Sequence, residues 1–136
     1  MRLLRKILYW TELFGSGLLA SILLIAPFKW LKKSVLQKSV STENSGKEVV
    51  DDSFLLRISN DIPRLGKIFP WTFKCYQQAL TVRLMLNRRR LPNELSIGSK
   101  KGGEEKMLFH AWSSCNGVIV TGNHQVETYH TIHTFN

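Results

Sequence analysis

The sequence predicts an α+β domain in which helices come first and a small antiparallel sheet follows. Three observations carry this. Cys75 to Arg90 runs without Gly or Pro through strong helix formers until Pro92 stops it. Beyond Pro92 the character changes to short strand-like segments, ELSIGS, MLFHAWSS and VIVTG. The last two of these flank Asn116-Gly117, the strongest short hairpin signal, because both central positions of a type I′ turn need positive φ.

Length and composition bound the rest. A chain of 136 residues, 43% of them hydrophobic, is one domain that buries roughly two-thirds of its unfolded surface without a disulfide scaffold. Two cysteines and no CxxC support neither a secreted knot nor a zinc ribbon, so the reading is a protein of a reducing compartment, the cytoplasm. Nineteen Lys+Arg against ten Asp+Glu give a net charge of +9. The basic residues fall in separate clusters with no nucleic-acid-binding signature beside them, so nucleic acid is not the expected partner.

Taken in order, residues 1–38 form an apolar helical segment: basic MRLLRK, an apolar stretch from Ile7 to Phe28, then basic KWLKK. Glu12 interrupts it, no Ala-x-Ala cleavage site follows, and Pro27 ends a run from Leu13 to Ala26 that falls short of the ~20 residues a spanning helix needs. It reads first as a core helix and second as a helix lying on an anionic membrane face through residues 7–33. Residues 39–53 read as a polar loop, and residues 54–136 as the main core. There Phe54, Leu55 and Ile58 have helical spacing in a short helix that Pro63 breaks. After the long helix, SKKGGEEK is a glycine-containing turn, and HQVETYHTIHTF is a last, weaker strand with Val126, Tyr129, Ile132 and Phe135 as its apolar positions.

A two-residue turn at 116 and 117 sets the hairpin register. It pairs Trp112 with Thr121 and His110 with Asn123. Cys75 opens the long helix on the face of Ala79, Val82 and Leu86, where a helix N-terminus stabilises a thiolate. His110 sits within the apolar MLFHAW, where an imidazole needs a partner or a purpose. A Cys, His and Asn arrangement then becomes feasible, with Asn123 orienting the imidazole. The plainer alternative is a core cysteine, a satisfied core histidine and an unrelated turn asparagine. Cys115 reads as a bystander. His124, His130 and His133 lack the carboxylate or thiolate spacing of a metal site, and neither metal nor cofactor is expected. Trp71 and Trp112 read as core or pocket walls. Gln77 and Gln78 are weaker oxyanion donors than the backbone N–H groups that open the Cys75 helix.

The segment CYQQALTVRLMLNRRRLPNELSIGSKK, followed by FHAWSSCNGVIVTG, resembles the transglutaminase-like proteins called lasso peptide biosynthesis B2, the leader peptidases of lasso peptide maturation. The likeness extends upstream to LYWTELFGSGLLASILLIAPFKWLKK, and so covers nearly the whole chain. It implies a papain/transglutaminase-like fold, a central Cys-bearing helix packed on a small antiparallel sheet behind N-terminal helices. It also implies a cysteine peptidase that removes the leader from a ribosomally made precursor, with Cys75 as nucleophile and His110 as general base and acid. Members of that family often carry Asp twelve residues beyond the His, and here that position is Gly122. The third group is then Asn123, Glu127 or none. Partners implied by the resemblance are the precursor peptide, a leader-binding recognition protein and an asparagine-synthetase-like cyclase. A non-catalytic adaptor of the same fold is the alternative.

Overall fold

A computed structural model describes residues 1–25, 29, 51–123 and 126–135. The expected helix stop at Pro27, most of the polar loop over 39–53, and His124 lie outside these residues. Helix α1 spans Arg2–Ile25, starting well before the uninterrupted apolar run. By length and composition it is long enough and apolar enough to cross a membrane. Its inner stripe of Tyr9, Leu13, Gly17 and Ala20 is nonetheless built into the core. Gly17 is where α1 comes closest to its neighbours: a Cβ there would lie 2.7 Å from Leu65 and 2.9 Å from Phe69. Glu12, the interruption in the apolar stretch, accepts two hydrogen bonds from Arg89, at 2.5 and 2.7 Å, and ties α1 to the far end of the cysteine helix.

Helix α2 spans Asp52–Ile68, with Asp51 as N-cap accepting from the Ser53 N–H. It does not break at Pro63, which lies inside it. Ile58, Ile62 and Leu65 are fully buried on either side of that proline, while Pro63 itself is exposed. Burying three such side chains is worth about 1.5–3 kcal/mol each, which outweighs the roughly 3 kcal/mol cost of an interior proline.

Helix α3, Cys75–Arg88, buries Ala79, Val82 and Leu86 as their spacing predicts, together with Leu80 and Met85. It ends in a Schellman arrangement. The N–H of Leu91 bonds the Leu86 carbonyl and that of Arg90 the Asn87 carbonyl, with Arg90 left-handed at φ 56. Arg83, in the middle of the helix, is fully buried and donates to Asn93 Oδ1 at 3.2 Å and to the Phe135 carbonyl at 3.0 Å. Burial pulls its guanidinium below the ordinary arginine value. This side chain pins the end of the last strand to the helix, a role no periodicity reveals.

The sheet holds β1 (Glu94–Lys101), β2 (Met107–Cys115), β3 (Val118–Thr121) and β4 (His130–Phe135), in the antiparallel order β3-β2-β1-β4. The turn between β1 and β2 places its positive φ angles on Glu104 and Glu105 rather than on the glycines. Asn116 and Gly117, at φ 50 and 78, form the primed turn their sequence predicts. The last segment is a 3₁₀ turn at Val126–Thr128 followed by β4, on which Ile132 is exposed and Phe135 packs against the core.

The register expected from the turn holds for only two pairs. Cys115 faces Val118 and Ser114 faces Ile119, but Ser113 then faces Thr121. Val120 is the extra residue of a bulge, so Thr121 pairs with Ser113 and not with Trp112. The bulge has a packing reason: it turns two consecutive residues, Val120 and Thr121, into the protein, where strict alternation buries one of the two.

Candidate active site

The two faces of β2 separate the residues of interest. Ala111, Ser113 and Cys115 are buried toward the helices, and Ala111 belongs to the same cluster as Ala79, Leu80 and Cys75. Strand alternation therefore turns His110 and Trp112 to the opposite face. There they meet Gly98, the β1 partner of His110, over which the Trp112 ring lies so closely that a Cβ would be 2.9 Å from it. His110 stacks near Trp112 at 6.1 Å and near Tyr129 at 5.2 Å between ring centroids, and Lys100 Nζ sits 4.5 Å over the Tyr129 ring. Cys75 thus packs against the cluster that holds Ala111, the chain neighbour of His110. Among the described residues no hydrogen bond joins Cys75 to His110.

The hydrogen-bond partner of His110 is a backbone atom. His110 Nε2 lies 2.7 Å from the Gly122 carbonyl oxygen. A carbonyl only accepts, so Nε2 carries the proton, and Nδ1 of the neutral ring is left as the acceptor. Asn123, expected opposite His110, is exposed instead, because the bulge carries the chain past that pairing. Glu127 is exposed on the 3₁₀ turn. Gly122 takes φ +79, and a Cβ there would sit 2.6 Å from the Ala111 carbonyl and 2.8 Å from Trp112 Cβ. This backbone therefore has no room for a side chain at position 122, where the family it resembles often carries Asp, and the residue offers His110 its carbonyl instead.

Cys75 is the first residue of α3 and is half-buried. The first intrahelical bond runs from Gln78 N–H to the Lys74 carbonyl, which leaves the N–H groups of Cys75, Tyr76 and Gln77 without intrahelical acceptors and aimed out of the helix start. Burial first, and the neighbouring Cys75 second, push the Tyr76 phenol up. Both candidate glutamines are committed elsewhere. Gln77 Oε1 accepts from Lys74 N–H at 2.6 Å, and Gln78 Nε2 donates to the Phe73 carbonyl at 3.0 Å. The backbone donors at the helix start remain the better match to an oxyanion. Cys115 is buried in the core, and burial pushes its thiol up.

An apolar pocket of about 430 Å³ opens beside the start of α3, lined by Leu18, Ile22, Trp71, Thr72 and Gln77 among others. Trp71 forms its wall, stacked on Phe69 at 4.6 Å and donating through Nε1 to Ser21 Oγ at 3.1 Å. Ser21 is a residue sequence reasoning missed. A serine within an apolar helix carries no signal until its partner, fifty positions away, is known.

A cysteine-opened helix packed on an antiparallel sheet that presents a histidine is the architecture of cysteine-protease-like folds. The transglutaminase-like superfamily profile matches residues 20–134, and the chain belongs to that superfamily. No curated protein and no solved structure matches it.

Proposed function

We propose that this chain is a cysteine peptidase that removes the leader from a ribosomally made lasso peptide precursor. The bond from His110 Nε2 to the Gly122 carbonyl carries the reading, because it leaves Nδ1 free to take the thiol proton. In the proposed reaction the Cys75 thiolate attacks the scissile carbonyl. Breaking the C–N bond leaves a thioester, and the His110 imidazolium gives its proton to the leaving amine. Water, deprotonated by the same nitrogen, then splits the thioester and regenerates the thiol. The N–H groups at the start of α3 face the oxyanion, and the pocket walled by Trp71 receives an apolar side chain of the peptide. The reaction requires a local rearrangement of β2 that brings His110 to the helix side, because in this structure Ala111 faces the cysteine helix and His110 lies on the opposite face of the strand. A cytoplasmic location, with a leader-binding protein delivering the precursor and an asparagine-synthetase-like cyclase using the freed amine, completes the proposal.

The adaptor reading has one observation in its favour: Ala111, not His110, faces the cysteine helix. Alkylation of each thiol against pH, read by mass spectrometry in the wild type and in His110→Ala, separates the two readings. Under the peptidase reading Cys75 reacts well below pH 7, loses that advantage in His110→Ala, and outpaces the buried Cys115 throughout. A Cys75 that titrates as an ordinary thiol in both proteins assigns the chain to the adaptor class.

A further inference from the structure

The strands differ in length, and the difference leaves an edge open. β2 runs nine residues from Met107 to Cys115, whereas β3 runs four and pairs only with Ser113, Ser114 and Cys115. Gly122, at φ +79, then ends the pairing, and its carbonyl goes to the His110 ring on the outer face. Among the described residues no strand continues on that side of β2 from Met107 to Phe109.

Two contacts fix which main-chain groups face this edge. The Lys106 carbonyl accepts from the Gly102 N–H at 2.7 Å, so by alternation Leu108 and His110 address β1. The Ala111 carbonyl lies on the other side, 2.6 Å from where a Cβ of Gly122 would stand. The N–H and C=O of Met107 and Phe109 therefore point to the open edge. Their side chains share the helix-side face with Ala111 but are 50% and 53% exposed, where Ala111 is sealed.

That edge leads to the cysteine. β1 runs back along α3, because the start of the strand is tied to the last turns of the helix: Asn93 donates to Asn87 Oδ1 at 2.8 Å and accepts from Arg83 at 3.2 Å. The first turn of α3 therefore lies toward the Met107 end of β2. Cys75 belongs to the cluster of Ala111, two residues from Phe109 on the same face.

An edge that offers open donors and acceptors at strand spacing is complementary to an extended peptide. We propose that the peptide substrate adds to the sheet as a strand on this edge, paired with the main chain of Met107 and Phe109, and so brings its scissile carbonyl to Cys75. The main-chain pairing gives affinity without regard to sequence, and the Met107 and Phe109 side chains favour apolar residues at alternate positions of the peptide. That the peptide is a substrate rests on the peptidase reading; the open edge does not.

The test attaches a peptide to Cys75 and reads the edge by amide hydrogen exchange in NMR. Acetyl-Thr-Val-Thr-Leu-Gly chloromethyl ketone alkylates an accessible thiol at alkaline pH by displacement of chloride and needs no catalysis. Expected are fast exchange of the Met107 and Phe109 amides in the unmodified chain and exchange at least roughly tenfold slower after attachment, with the Leu108 and His110 amides unchanged. Acetyl-glycine chloromethyl ketone should leave all of them as they were. Of two peptides N-methylated at opposite alternate residues, one should lose the protection and the other keep it, because a strand shows its partner every second N–H. Attachment without slowing overturns the proposal, as does slowing on β4 instead. A Cys75 that refuses the reagent overturns it as well. Slow exchange at Met107 and Phe109 before attachment overturns it by showing an edge already covered, by a second copy where velocity sedimentation gives a dimer. The peptidase reading fails separately: a Cys75 that titrates as an ordinary thiol sinks the reaction, while the exchange result still decides whether this edge takes a peptide.

Discussion

The two faces of β2 solve different problems with the same strand. The helix-side face, Ala111, Ser113 and Cys115, is sealed against α1, α2 and α3 and is made of small side chains that let the layers approach. The opposite face carries two large rings, His110 and Trp112, and makes room for them with glycines at 98 and 122. The small residues therefore lie on the strand itself on one side and on the neighbouring chain segments on the other. The lesson is that the glycines flanking HAW belong to the histidine's environment as much as its direct contacts do.

The sharpest way to break this contrast is Gly122→Ala. The left-handed backbone and the 2.6 Å approach to the Ala111 carbonyl act together, and the expected loss is about 3 kcal/mol in urea unfolding. The imidazole signals of His110 should change with it, because the carbonyl that holds Nε2 must move. The helix-side face should respond with the opposite sign. The Ser113 hydroxyl is buried with no hydrogen-bond partner among the described residues, so Ser113→Ala is expected to raise stability by about 1 kcal/mol in the same measurement. A loss on that substitution would reveal a partner for the hydroxyl and blur the distinction between the faces.

The smallest effect lies far from both faces, in the cap of α2. Hydrogen bonds from the Ser53 side chain first, and its backbone N–H second, hold the Asp51 carboxyl below its ordinary value. A group whose pKa is lower in the folded than in the unfolded state adds stability above the unfolded value of about 4 and loses it as pH falls through the folded one. Asp51→Ala should therefore lower the melting temperature slightly at neutral pH, and the gap from the wild type should shrink in acid. A gap that stays constant with pH would remove the carboxylate from the account.

Several elements were legible because their causes are local. The cysteine helix followed from unbroken helix formers and a proline stop, and the hairpin turn from Asn116-Gly117. Elements whose cause lies elsewhere in the chain were misjudged or missed. Pro63 signals a break, yet α2 continues because Ile58, Ile62 and Leu65 all find the core. The turn sets the first two hairpin pairs, and then the burial of both Val120 and Thr121 adds a residue that moves Asn123 away from His110. Arg83 and Ser21 looked unremarkable because each depends on a partner about fifty residues away.

By itself the sequence determined the fold class, the position of Cys75 at a helix start, the histidine-bearing strand and the primed turn beside it. Each depends on propensity, periodicity or backbone freedom within a few residues. Only the tertiary structure decided that a backbone carbonyl orients His110, that His110 and Cys75 lie on opposite sides of one strand, and that β3 stops short and leaves part of the β2 edge open. These depend on which distant segments compete for the same buried space. A one-residue bulge is enough to change which atoms meet, because side chains alternate faces at every residue of a strand.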